Sequence, residues 1–116
     1  MGFVNARQLG LHFAKHGADF GVKTAGEYEI LADMFLSGPL SVPVQECRRA
    51  AGDVVRFDPM SDEYGVIDST GIVRTYFKPV PCGTLNASVR VAAKKAGKCH
   101  GSVDNKSYFN AECAKY

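Results

Sequence analysis

At Asp53 the apolar residues change their spacing, and that change limits what the chain can fold into. Downstream lie three β-rich runs, Val54-Val55-Arg56-Phe57, Tyr64-Gly65-Val66-Ile67 and Ile72-Val73-Arg74-Thr75-Tyr76-Phe77. Asp58-Pro59-Met60-Ser61-Asp62 and Asp68-Ser69-Thr70-Gly71 separate them, and both are turn sequences. Connections this short join antiparallel neighbours, so the runs predict a meander. In the third run, strict alternation places Arg74, Tyr76 and Lys78 on one side and Val73, Thr75 and Phe77 on the other.

Upstream the period is helical. Asn5 can cap a helix through Lys15, with Ala6, Leu9 and Phe13 on its inner face. Thr24-Ala25-Gly26-Glu27 fits a capping box and opens a second helix to about Ser37, ended by Gly38-Pro39. Tyr28, Leu31 and Phe35, flanked by Ile30 and Met34, give it a wide apolar face. Pro39 to Pro43 reads as a loop and Gln45 to Ala51 as a short helix or irregular segment. The fold expected is therefore α+β, with N-terminal helices on one face of an antiparallel meander and the other face free for a ligand. Past Pro81, Ala87 to Gly97 reads as a short basic helix and Gly97 to Gly101 as a loop. Asp104 can open a last helix, although Ser107-Tyr108-Phe109 can equally extend the sheet.

A chain of 116 residues with 46% hydrophobic and 22% charged content suits one globular domain. No run approaches the roughly 18 apolar residues of a membrane span, and the first residues lack the layout of a signal peptide. The net charge of +2 does not announce a nucleic-acid binder, but three basic residues face five acidic ones in 1–46 and eleven face seven beyond. Arg48-Arg49, Arg74 with Lys78, and Arg90 with Lys94, Lys95 and Lys98 are basic groups able to follow a phosphate backbone. Cys47, Cys82, Cys99 and Cys113 contain no C-x-x-C pair, so disulfides are favoured over zinc held by Cys82, Cys99, His100 and Cys113. Three pairings are open, and so is the alternative of four reduced, buried thiols.

The stretch His12-Phe13-Ala14-Lys15-His16-Gly17-Ala18-Asp19-Phe20-Gly21 carries the chemistry. His12 and His16 fall one helical turn apart with Lys15 beside them, which gathers two imidazoles and a cation. Gly17 can stop the helix in a left-handed conformation. His16 would then feel the negative end of the macrodipole, which favours imidazolium. A histidine there also serves simply as a cap or surface residue.

Lys15 to Gly21, followed by a strand, a turn with Gly71 and Arg74-Thr75-Tyr76-Phe77-Lys78, resembles the colicin D-type nuclease family. It also resembles the C-terminal toxin domains of contact-dependent inhibition and polymorphic toxin systems, within the barnase, EndoU, colicin and RelE group of small α+β ribonucleases. The similarity covers residues 7 to 79. The family's histidine falls on His16, its preceding lysine on Lys15 and its later hydroxyl residue on Thr75. Phe77 replaces a tryptophan, and Phe13 stands where a second lysine would be. The resemblance implies an endonuclease, with tRNA as substrate and a cognate immunity protein as partner; the lack of a credible metal-ligand cluster in the sequence adds the expectation that it works without metal or cofactor. The resemblance also implies delivery as the end of a larger secreted or surface protein, with action in the target-cell cytoplasm.

Independently of the resemblance, the residues suit RNA cleavage, which needs a base for the 2′-OH, charge stabilisation at phosphorus and a proton for the 5′ oxygen. His16 can be base or acid. Lys15, with Arg74 or Lys78, can hold phosphate charge, and Thr75 can donate to a non-bridging oxygen. Tyr76 or Phe77 can stack a base, and His12 can contact substrate. The second proton-transfer group is His12, His100 or a lysine. Two other readings stand beside this one: a metal hydrolase using His12 and His16, and a non-enzymatic RNA- or protein-binding module.

Overall fold

The computed structural model describes residues 2–116. The first helix, α1, spans Ala6–His16, and the Asn5 side chain accepts the Gln8 N–H at 2.9 Å. The second, α2, spans Ala25–Ser37 and opens with both reciprocal bonds of the Thr24–Glu27 capping box. Four strands follow: β1 Gln45–Arg48, β2 Val54–Phe57, β3 Tyr64–Ile67 and β4 Val73–Phe77. They form an antiparallel sheet in sequence order, so the fold is α+β with N-terminal helices packed on a meander. The turns close as their aspartates suggest. Asp58 Oδ1 accepts the Met60 N–H, and Asp68 Oδ1 accepts those of Thr70 and Ile72.

Several expectations change. Gln45 to Arg48 is a strand, held by pairing with β2 and by the Cys47–Cys113 disulfide. On α2 the fully buried stripe is Tyr28, Ala32 and Leu36, while Ile30 and Met34 are exposed. Leu31 and Phe35 are partly buried against the same core, as expected, and Leu36 packs beside Gly65, where an added Cβ would come within 2.9 Å of its methyls. On α1, Leu9 and Phe13 pack against the core but Ala6 is exposed.

The largest change concerns the sheet's second face, which is not free. A short parallel pair, β5 Val80–Pro81 with β6 Cys99–His100, brackets α3 Ala87–Lys95, and α4 Asn105–Cys113 then crosses the meander. Phe109 of α4 joins Val55, Phe57, Tyr64, Val66 and Phe77 in one core cluster. Phe3, Tyr28, Ala32, Leu36, Val73 and Tyr76 form the other, under α1 and α2. Residues 107–109 are therefore helix, not strand. The disulfides Cys47–Cys113 and Cys82–Cys99 fix α4 to β1 and the turn after β5 to β6, so no cysteine among the described residues remains to hold zinc.

Candidate active site along the edge of β4

A β-bulge decides how β4 presents its side chains. Val66 pairs with Thr75 and Ile67 with Val73, which leaves Arg74 as an extra residue. The bulge breaks the alternation expected from sequence. Val73 joins Tyr76 on the α1–α2 side, whereas Phe77 lies on the α4 side. Thr75, two residues from Phe77, shares a depression with Glu112 of α4. Arg74 itself is exposed.

The edge of β4 carries α1, with His12 toward its start and His16 toward its end. His12 packs on Phe3 at 5.0 Å between ring centroids, and next to Phe3 the Gly2 carbonyl accepts the Val73 N–H. His16 lies on Phe77 at 5.1 Å and 28°. The two imidazoles stand 6.1 Å apart.

α1 ends at His16 with Gly17 as its C-cap, as expected, but not through a left-handed residue. Gly17 is right-handed, with φ −57°, and the chain continues through a 3₁₀ turn, Gly17–Phe20, that ends at Gly21 with φ +67°. Gly17 is required for a different reason: a Cβ there would fall 2.4 Å from the Phe13 ring.

His16 is only 4% exposed, and its Nδ1 is sealed from solvent without a hydrogen-bond partner. Burial pushes its pKa down to about 4; His12, Lys15 and Lys98 push the same way, and the Asp19 carboxylate opposes them. The imidazolium expected at a helix end is thus overturned. A macrodipole contributes about 0.3–1 kcal/mol at an exposed site, less than one pKa unit at about 1.36 kcal/mol each, and burial outweighs it. Burial and then Lys15 also lower the pKa of His12, whose Nδ1 is likewise buried and unpartnered. At neutral pH both imidazoles are neutral, and Lys15 is the exposed cation beside them.

Depressions open on either side of Arg74. One, of about 390 Å³, is lined by His12, Asn5, Gln8, Asp68 and Arg74. The other, of about 490 Å³, is lined by Thr75, Arg49, Asp53, Glu112, Tyr116 and the same Arg74. Lys78 is elsewhere, 5.4 Å over the Phe20 ring in a third depression with Asp19, Lys98 and Asn105. Arg74 and Lys78 therefore do not form one cluster.

Neither a family model nor a curated protein matches the chain. The placement of individual residues carries the functional reading.

Tyr76 is fully buried, its hydroxyl donates to Glu63 and its carbonyl accepts from the Tyr28 hydroxyl, so it has no face for a base. Phe77 is closed in by His16, Tyr64 and Tyr108 and positions His16 instead. His100 is also committed: Nδ1 accepts the Ser102 N–H, Nε2 meets Asn105 Oδ1 at 2.8 Å, and the ring stacks on Tyr108 at 4.3 Å. That leaves His12 as the second histidine at the site. Among the described residues, no group of three or more His, Cys, Asp or Glu is gathered where it could share a metal ion.

Sequence reasoning missed Phe3, the Asp19–Lys98 ion pair at 3.0 Å and the exposed Tyr116. Asp19 and Lys98 are 79 residues apart, and no local spacing announces such a pair.

Proposed function

We propose that this chain is a bacterial toxin ribonuclease domain that cleaves RNA, with tRNA as its substrate, by transesterification through the 2′-OH. The observation that carries the reading is His16, a buried, neutral imidazole with an unpartnered Nδ1, beside a second such imidazole and an exposed cation. An unpaired buried polar group costs about 1–3 kcal/mol. Perturbed, unpaired titratable groups of this kind gather at functional sites. The resemblance of residues 7 to 79 to colicin D-type nucleases supports the same residues.

In this mechanism neutral His16 takes the proton of the 2′-OH on Nε2, since Nδ1 is sealed from solvent, the 2′ oxygen attacks phosphorus and the bond to the 5′ oxygen breaks. The products are a 2′,3′-cyclic phosphate and a 5′-hydroxyl. Lys15 and Arg74 balance the charge on the non-bridging oxygens, and Thr75 donates to one of them. A bound phosphodiester places an anion opposite Lys15, which raises the imidazole pKa toward the range that serves proton transfer. His12, on the Arg74 side, is then the group that protonates the leaving oxygen. An acidic immunity protein from the producing cell would cover the Lys15 and Arg74 cations, and delivery would be as the end of a larger secreted or surface protein.

Expression in bacteria tests the reading. Wild type is expected to arrest growth with cleaved tRNA, and a soluble, folded His16→Ala protein to do neither. Equal toxicity of the two would contradict it.

A further inference from the structure

With Tyr76 and Phe77 buried, the bases flanking the scissile phosphate need another aromatic surface, and the structure offers one. Tyr116 is 76% exposed and lines the same depression as Thr75 and Arg74. Its position is held from behind. The Tyr116 carbonyl accepts the Ala51 N–H at 2.7 Å, and the Arg49 guanidinium lies 5.5 Å from the ring centroid. Arg49 is itself anchored: its Nε donates to the Glu112 carbonyl at 2.8 Å, and its ion pairs run to Glu112 and Asp53. The Cys47–Cys113 disulfide fixes the end of α4 from which this segment departs. A ring with an exposed surface and an anchored backbone, beside an exposed arginine and a hydroxyl, is the layout of a base-stacking platform.

Resting on the ribonuclease reading, we propose that Tyr116 stacks an unpaired nucleobase adjacent to the phosphate held by Arg74 and Thr75. The ligand is single-stranded RNA, since a paired base keeps its faces inside the helix. Stacking tolerates any base, so Tyr116 confers a preference for unpaired loops without fixing the base identity. It acts in binding and takes no part in proton transfer.

The chain contains no tryptophan, so Tyr116→Trp in a His16→Ala background gives a single reporter that binds without turnover. Bulk tRNA and a short single-stranded RNA oligonucleotide are expected to quench its emission, and a fully paired RNA duplex to do so far less. In the same background Tyr116→Ala should weaken oligonucleotide binding roughly 5- to 150-fold, and Tyr116→Phe should restore it. With His16 intact, Tyr116→Ala should raise KM more than it lowers kcat, with thermal melting checking that the fold survives. Wild type that cleaves RNA, with Tyr116→Ala binding as tightly as its parent, overturns the platform alone. Wild type that neither binds nor cleaves RNA overturns the ribonuclease reading, and the platform with it.

Discussion

The imidazole of His16 lies on the ring of Phe77, with 5.1 Å between centroids and 28° between planes. This contact takes Phe77 out of substrate binding and holds His16 in the buried environment that keeps it neutral. Phe77→Ala should therefore impair turnover by loosening His16, while Phe77→Leu, which refills most of the space, should recover part of it. Equal activity of wild type and Phe77→Ala would show that His16 needs no such support.

The depressed pKa of His16 sets a pH signature. In the unfolded chain an imidazole titrates near 6.5, whereas here it is held down to about 4. Between these values the unfolded state binds the proton and the native state does not, so stability falls as pH drops from 6.5 through about 4. Below that window the loss is complete. The acidic limb of kcat/KM, which reports the free enzyme, should likewise lie near pH 4. Nuclear magnetic resonance titration of the His16 ring checks this directly, and a midpoint near 6.5 would contradict it.

Tyr76 should behave as a structural residue. Removing its ring by Tyr76→Ala empties the centre of the α1–α2 core, at a cost of about 3–5 kcal/mol. Tyr76→Phe removes only the bond to Glu63, leaves a polar partner unsatisfied and should cost about 1–3 kcal/mol. Denaturant unfolding distinguishes the two, and KM for RNA should stay unchanged in the folded fraction of Tyr76→Phe.

Arg74 should behave in the opposite way. It is exposed on a bulge, so Arg74→Ala should change stability by no more than about 0.5 kcal/mol. If it stabilises charge on phosphorus, turnover should fall roughly 10²-fold with the same product ends. Arg74→Lys should restore part of the rate. Unaltered turnover in Arg74→Ala would remove it from the site.

The two disulfides should contribute unequally. Cys47–Cys113 spans 66 residues and Cys82–Cys99 spans 17. Loop-closure entropy makes the first worth roughly 4 kcal/mol and the second roughly 3. Unfolding of the Cys47→Ser/Cys113→Ser and Cys82→Ser/Cys99→Ser proteins measures both, and a larger loss from the second pair would contradict the loop-length argument.

Much of the fold was legible because its signals are local. The Asn5 and Thr24 caps, the aspartate turns and the period change at Asp53 each depend on residues a few positions apart. What escaped depends on distance. One extra residue at Arg74 reverses the side on which Val73 lies, and alternation counted along one strand cannot register a bulge set by the pairing of Val66 and Ile67. The burial of His16 follows from Phe77, 61 positions on, so the sequence suggested a raised pKa where the structure lowers it. The closing of the second sheet face depends on α4 and on a cysteine pairing that spacing alone left open.

End-group analysis of tRNA cleaved in the presence of EDTA tests the central claim most directly. Wild type is expected to leave 2′,3′-cyclic phosphate and 5′-hydroxyl ends, to spare DNA and to lose cleavage in His16→Ala. Products with 5′-phosphate ends, or cleavage abolished by chelator and restored by a divalent metal ion, would contradict 2′-OH transesterification by these side chains.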